Sequence, residues 1–147
     1  MKNKIRLGMV GGGKDAFIGA VHRMAARMDD KYDFVAGCLS STPEKSKISA
    51  KEINLDLNRS YPDFKTMAEE EAKRADGIEV VSIVTPNHMH AKPAIAFLEK
   101  GIHVICDKPM TATMDEAYNL YNAVKKNNLH FLITPVSYTH LTLPTKA

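Results

Sequence analysis

Tryptophan is absent from this chain, cysteine occurs only twice, and no charge of one sign dominates. Each shortage removes a class of protein. Cys38 and Cys106 both sit inside apolar runs, so they cannot staple a small loop-rich fold and read as reduced core thiols. A single Cys38–Cys106 disulfide is the other arrangement they allow. Basic and acidic residues number 20 and 17 and are interspersed, for a formal charge of +3. That leaves no basic stripe with interleaved aromatics for nucleic acid and no polybasic patch for anionic lipid. No apolar run approaches the roughly 20 residues that cross a bilayer, and Met1-Lys2-Asn3-Lys4 leads straight into a strand-like run without a signal-peptide core. The expectation is a cytoplasmic protein with small-molecule partners. No metal site is expected either, since His88 and His90 have no companion Cys, His or carboxylate at ligand spacing.

The chain does have enough apolar content for one core: 147 residues, 44% hydrophobic. Its central stretch is Ile5-Arg6-Leu7-Gly8-Met9-Val10 running into Gly11-Gly12-Gly13, a buried-strand pattern that breaks into three glycines and then into a helical pattern. Phe17, Val21, Met24, Ala25 and Met28 recur at helical spacing and predict one helix face covering a sheet. A second strand is expected over Asp33 to Leu39. Thr42-Pro43-Glu44 then opens a second helix, whose thin apolar face is Ile48, Ala50 and Ile53.

A very short third strand is expected around Arg59 to Tyr61, and Thr66-Met67-Ala68-Glu69 has the form of a capping box opening a helix as far as Ala75. Ile78 to Val84 is the most strand-like run, followed by a helix over Ala91 to Lys100, a strand over Ile102 to Cys106, a capping box at Thr113–Glu116 and a last strand over Leu129 to Ile133. Six rounds of strand and helix with short links predict an α/β fold, a doubly wound parallel sheet with helices on both faces and right-handed crossovers.

Gly11, Gly13 and Ala16 fit the pattern G-x-G-x-x-A, with Gly19 later than a compact fingerprint would place its third glycine. Between a strand and a helix, such a turn suits a diphosphate, because helix N-terminal amides point at phosphate oxygens. No G-K-S or G-K-T follows, which disfavours a nucleoside-triphosphate loop. At the end of the second strand, where a carboxylate would hold the ribose diol of NAD, stand Ser40 and Ser41, with Lys45 and Lys47 behind. Hydroxyls and ammonium groups accept a 2′-phosphate, so NAD(P) is expected with a lean toward NADP, although serines beside Thr42-Pro43 also read as an N-cap. Thr85-Pro86-Asn87-His88-Met89-His90 and Asp107-Lys108-Pro109 fall at carboxyl ends of strands, where ligands sit in open α/β sheets. A partly desolvated lysine beside a cofactor ring can donate to a substrate oxygen, which makes Lys108 the candidate catalytic residue.

These motifs together resemble the Gfo/Idh/MocA oxidoreductases: the glycine turn, Ala16-Phe17-Ile18-Gly19-Ala20-Val21-His22, the Thr85–His90 segment and Asp107-Lys108-Pro109, spread over about residues 4 to 134. The resemblance implies a Rossmann-type domain of an NAD(P)-dependent enzyme acting on sugars, inositols and their derivatives. It also implies Phe17, Ile18, Thr85, Pro86, Asn87, His90 and Asp107 along the cofactor, with Lys108 matching the lysine of the family's E-K-P motif. Asp107 stands where that motif has glutamate, one methylene longer.

Members carry a second, substrate-binding domain and commonly an aspartate and a histidine that act with the lysine; a full-length homo-oligomer is the expectation. None of that fits here. Val136 to Thr145 instead agrees, residue for residue, with a translation of a transposase-adapter DNA, GTC TCT TAT ACA CAT CTG ACG CTG CCG ACG. The expected division is therefore a dinucleotide-binding domain over 1–134 and a non-native tail over 135–147. The sheet surface that the missing domain would cover should be exposed, and the piece itself inactive. The alternative, a free-standing NAD(P)-sensing module, requires a natural stop after the last strand.

Overall fold

The computed structural model describes residues 4–134, so the expectation of a foreign tail lies outside the described residues. Its strands are β1 (Ile5–Gly11), β2 (Tyr32–Cys38), β3 (Val80–Val84), β4 (His103–Asp107) and β5 (Phe131–Thr134). Its helices are α1 (Phe17–Met28), α2 (Pro43–Glu52), α3 (Phe64–Lys73), α4 (Ala91–Glu99) and α5 (Met114–Asn127). All strand pairs are parallel, in the order β2-β1-β3-β4-β5. The chain winds outward from β1 to β2, crosses back to β3 and continues the other way, as a doubly wound sheet requires. The reversal falls between β1 and β3, whose carboxyl ends therefore border a crevice.

Alternation along the strands divides the core in two. Val10, Val81, Ile83, Val104 and Cys106 face α3, α4 and α5 and pack with Met67, Phe97, Leu98 and Leu120. Met9, Leu39, Leu55 and Val84 pack with Ala50 of α2 and half-buried Ile18 of α1. Both cysteines are free and buried, and burial pushes the Cys38 thiol up to about 11 and Cys106 up to about 12. They are inert core groups.

Three local expectations are corrected. The strand at Arg59–Tyr61 is reduced to one parallel bridge, Gly37 with Ser60, after a 3-10 turn at Leu57–Arg59. Glu71 draws those residues inward instead: its carboxylate accepts from Arg59 Nε at 3.0 Å, Tyr61 OH at 2.7 Å and the Ile78 amide at 3.1 Å. Helix α3 starts two residues before Thr66, because Asp63 accepts from the amides of Lys65 and Thr66 and is the better placed cap. The Thr113–Glu116 capping box forms as expected.

The third correction concerns α1. Its apolar stripe does not cover the sheet: Phe17, Met24 and Met28 are 82%, 66% and 79% exposed, whereas Gly19 and Arg23 are buried. Close packing of Gly19 on Gly12 sets this rotation, since a Cβ on Gly19 would lie 2.3 Å from the Gly12 Cα.

Candidate functional site

The glycine turn is built for close approach. Gly11 and Gly12 have φ of +80° and +72°, where side chains are strained, and a Cβ on Gly12 would meet Met9 Sδ and Val84 Cγ2 at 2.8 Å. A Cβ on Gly13 would lie 2.6 Å from the Leu39 carbonyl and 2.7 Å from Ser49 Oγ. Gly19 thus supplies the close helix-to-turn packing that its spacing left in question. Ala16 caps α1 without a side-chain hydrogen bond, so no side chain occupies the first-turn amides that an anion would use.

Three polar residues that the sequence reading passed over hold this turn. Arg23 donates from Nη1 to the Gly12 carbonyl at 2.6 Å, and burial lowers its guanidinium below the usual range. Ser49 Oγ accepts the Lys14 amide at 3.1 Å, and Ser46 Oγ accepts the Leu39 amide at 3.0 Å. Both serines are buried on α2, joining it to the turn and to the end of β2. The signal lay in their spacing of three, which puts two hydroxyls on one helical face, although in sequence they read as surface residues. Lys14 itself pairs with Glu52 at 2.6 Å, and that hydrogen bond raises its pKa.

An open cleft of about 890 Å³ runs over the turn and brings together Gly11, Gly13, Ala16, Ser40, Ser41, Thr85 and Pro86. Lys45 also lines it, and Thr42 opens α2 without using its side chain as a cap. The glycine cradle and the uncapped helix end fit a dinucleotide diphosphate, and the hydroxyls and Lys45 lie at the β2 end where a ribose would follow.

The remaining candidates do not line that cleft. Phe17 points to solvent, Ile18 is half-buried in the smaller core cluster, and Asn87 is exposed in a 3-10 turn at Asn87–Met89. Lys108 is exposed at the end of β4, and its amide donates to Asp107 Oδ1 at 2.9 Å. The shorter acid therefore turns its carboxylate back onto its own loop. His90 is fully buried, with ring nitrogens 2.6 Å from the Pro109 carbonyl and 2.8 Å from the Thr85 carbonyl. His22, unassigned in the sequence reading, meets Ser82 Oγ at 2.8 Å; burial lowers its pKa against an opposing pull from Asp107. No group of three or more His, Cys, Asp or Glu that could hold a metal occurs among the described residues.

Comparison with known proteins adds an independent line. The model of the oxidoreductase family with an NAD-binding Rossmann fold, GFO_IDH_MocA, matches residues 5–134. The uncharacterized oxidoreductase YfiI of Bacillus subtilis is 42% identical over 83% of this chain and 31% of its own length. An oxidoreductase from Sinorhizobium meliloti superposes with a TM-score of 0.87 at 57% identity, over 90% of this chain and 37% of that one. An inositol dehydrogenase homolog from Azotobacter vinelandii, complexed with NADH and myo-inositol, gives a TM-score of 0.87 at 40% identity, over 91% and 35%. The chain thus spans about a third of the length of these proteins.

Proposed function

The chain belongs to the Gfo/Idh/MocA oxidoreductase family, and on that footing we propose that residues 1–134 are the cofactor-binding half of an NAD(P)-dependent dehydrogenase or reductase acting on a sugar, inositol or related polyol. The observation that carries the cofactor assignment is the open cleft of about 890 Å³ over the glycine turn, beside the N-terminus of α1, which has no side-chain cap. The polyol class is supported by the inositol dehydrogenase homolog, whose structure holds NADH and myo-inositol.

A bound nicotinamide supplies the ring that accepts or donates hydride. Gly11, Gly13 and the first turn of α1 would hold the diphosphate, and Thr85 and Pro86 would contact the cofactor from the β3 side of the cleft. Lys108 holds or moves a proton at the substrate oxygen. Ser40, Ser41 and Lys45 favour the 2′-phosphate of NADP, as hydrogen-bond donors where a carboxylate would only repel it. Substrate positioning belongs to a domain outside this chain, so the chain binds cofactor without turnover. The whole enzyme is a homo-oligomer in this reading.

Because tryptophan is absent, cofactor fluorescence is a clean reporter. Titrating NADPH and NADH with the purified chain should show both binding, NADPH about tenfold tighter, equivalent to about 1.4 kcal/mol. Equal or tighter binding of NADH overturns the NADP assignment, and failure of both overturns the cofactor site. Oxidation of inositols or sugars by the chain alone at ordinary enzyme rates would overturn the division of labour.

A further inference from the structure

The loops at the ends of β3 and β4 carry Thr85-Pro86 and Lys108-Pro109, and the sheet does not hold them together. The β3–β4 ladder ends at Ile83 with Cys106, so both loops run on past their last rung. The polar contacts of each loop do not reach the other, although Asp107 Oδ1 also accepts from Thr134 Oγ1 of β5 at 3.5 Å. Thr85 Oγ1 donates to the Met89 carbonyl at 2.9 Å, and the Lys108 amide donates to Asp107 at 2.9 Å. Among the described residues one side chain hydrogen-bonds across them: His90 is 0% exposed, with Nδ1 2.6 Å from the Pro109 carbonyl and Nε2 2.8 Å from the Thr85 carbonyl.

We propose that His90 is a positioning residue that replaces the missing ladder rung and holds the Lys108 loop in register with the Thr85–Pro86 wall. This inference rests on the cofactor reading for its consequence, though not for its geometry. Carbonyls turned toward a buried ring need donors, and neither loop offers the other a backbone amide there, as the ladder has ended. Imidazole suits the gap because its two nitrogens point in divergent directions. A ring with both nitrogens protonated donates to both carbonyls, and a neutral ring donates to one. His90 does not line the cleft, so it acts through the two loops and not on the ligand. Displacing a reacting group by about 1 Å can lower a rate about 10²-fold, so register between these loops matters to any chemistry at Lys108.

The test compares His90→Phe, which keeps the ring shape without the nitrogens, His90→Gln, which reaches one carbonyl, and Phe97→Leu, a control on the buried face of α4. Amide hydrogen exchange is followed by segment, and acylation of Lys108 is measured by mass spectrometry with and without NADPH. In His90→Phe, exchange over 85–89 and 107–111 should rise about tenfold or more with β2 and α2 unchanged, as expected for a local opening. Protection of Lys108 by cofactor should fall in parallel, with His90→Gln between the two. Rates like wild type, or a rise spread evenly as in Phe97→Leu, overturn the proposal and leave His90 as core filling.

Wild-type ring spectra decide the point even if the variants do not fold. A slowly exchanging His90 ring proton correlated with the Pro109 loop supports it, and one exchanging as fast as that of exposed His88 overturns it. If wild type binds neither NADH nor NADPH, the cofactor reading fails, while the exchange and ring data still decide the strap.

Discussion

The two faces of the sheet come from the same strands and end differently. On one, α3, α4 and α5 close over the strands, leaving Met67, Phe97 and Leu98 fully buried and Leu120 nearly so. On the other, α1 and α2 cover β1 and β2 and stop short. There Leu7, Ser82, Ile105 and Thr134 floor an open groove of about 260 Å³ walled by Val21 and His22. Leu132 pairs with Ile105 on the same row and is exposed, as are Phe17, Met24 and Met28 on α1. Burial here follows how many helices the winding places on each face, not how apolar each helix is. Contiguous exposed apolar surface of this kind favours association.

The largest expected contrast is between matched truncations. Phe97→Ala on the closed face should cost about 3–5 kcal/mol in urea unfolding, whereas Met24→Ala on the open side should stay within about 0.5 kcal/mol. Equal costs would break the comparison and mean that α1 is packed by something in solution. A smaller effect concerns association. Met24→Lys combined with Leu132→Lys should shift sedimentation toward monomer while leaving the unfolding midpoint near wild type. An unchanged sedimentation profile would remove the open face as a self-association surface.

The smallest effect sharpens the comparison through charge. Burial lowers the His22 pKa, so the folded chain takes up its proton less readily than the unfolded one. Its contribution is therefore complete above the unfolded value of about 6.5 and is lost as pH falls through the lower folded value. Unfolding free energy should decline from about pH 7 to pH 5, and His22→Gln should flatten that decline. A slope identical in the variant would assign the pH dependence elsewhere.

Much of the fold was legible because its signals are local. The β1 run into three glycines, the Thr113–Glu116 capping box and the apolar strand around Val80–Val84 each state their structure within a few residues. Part of the candidate site is local in the same way, and Gly11, Gly13, Ala16, Ser40, Ser41, Thr85 and Pro86 line one cleft. What was misread depended on distant partners. Ser46 and Ser49 look like surface residues until Leu39 and Lys14 supply the amides they accept. Arg59 to Tyr61 looks like a strand until Glu71 claims its polar groups.

The sequence alone determined the order of the five paired strands and their helices, the position of the glycine turn and the family, because backbone torsion demands and apolar periodicity are written residue by residue. Only the tertiary structure decided which side of α1 faces inward, that one sheet face stays open, and that His90 spans two carbonyls 24 residues apart, Thr85 to Pro109 (109 − 85). Those outcomes depend on which remote groups the winding brings within hydrogen-bond or van der Waals reach, and no local pattern encodes a partner that distant.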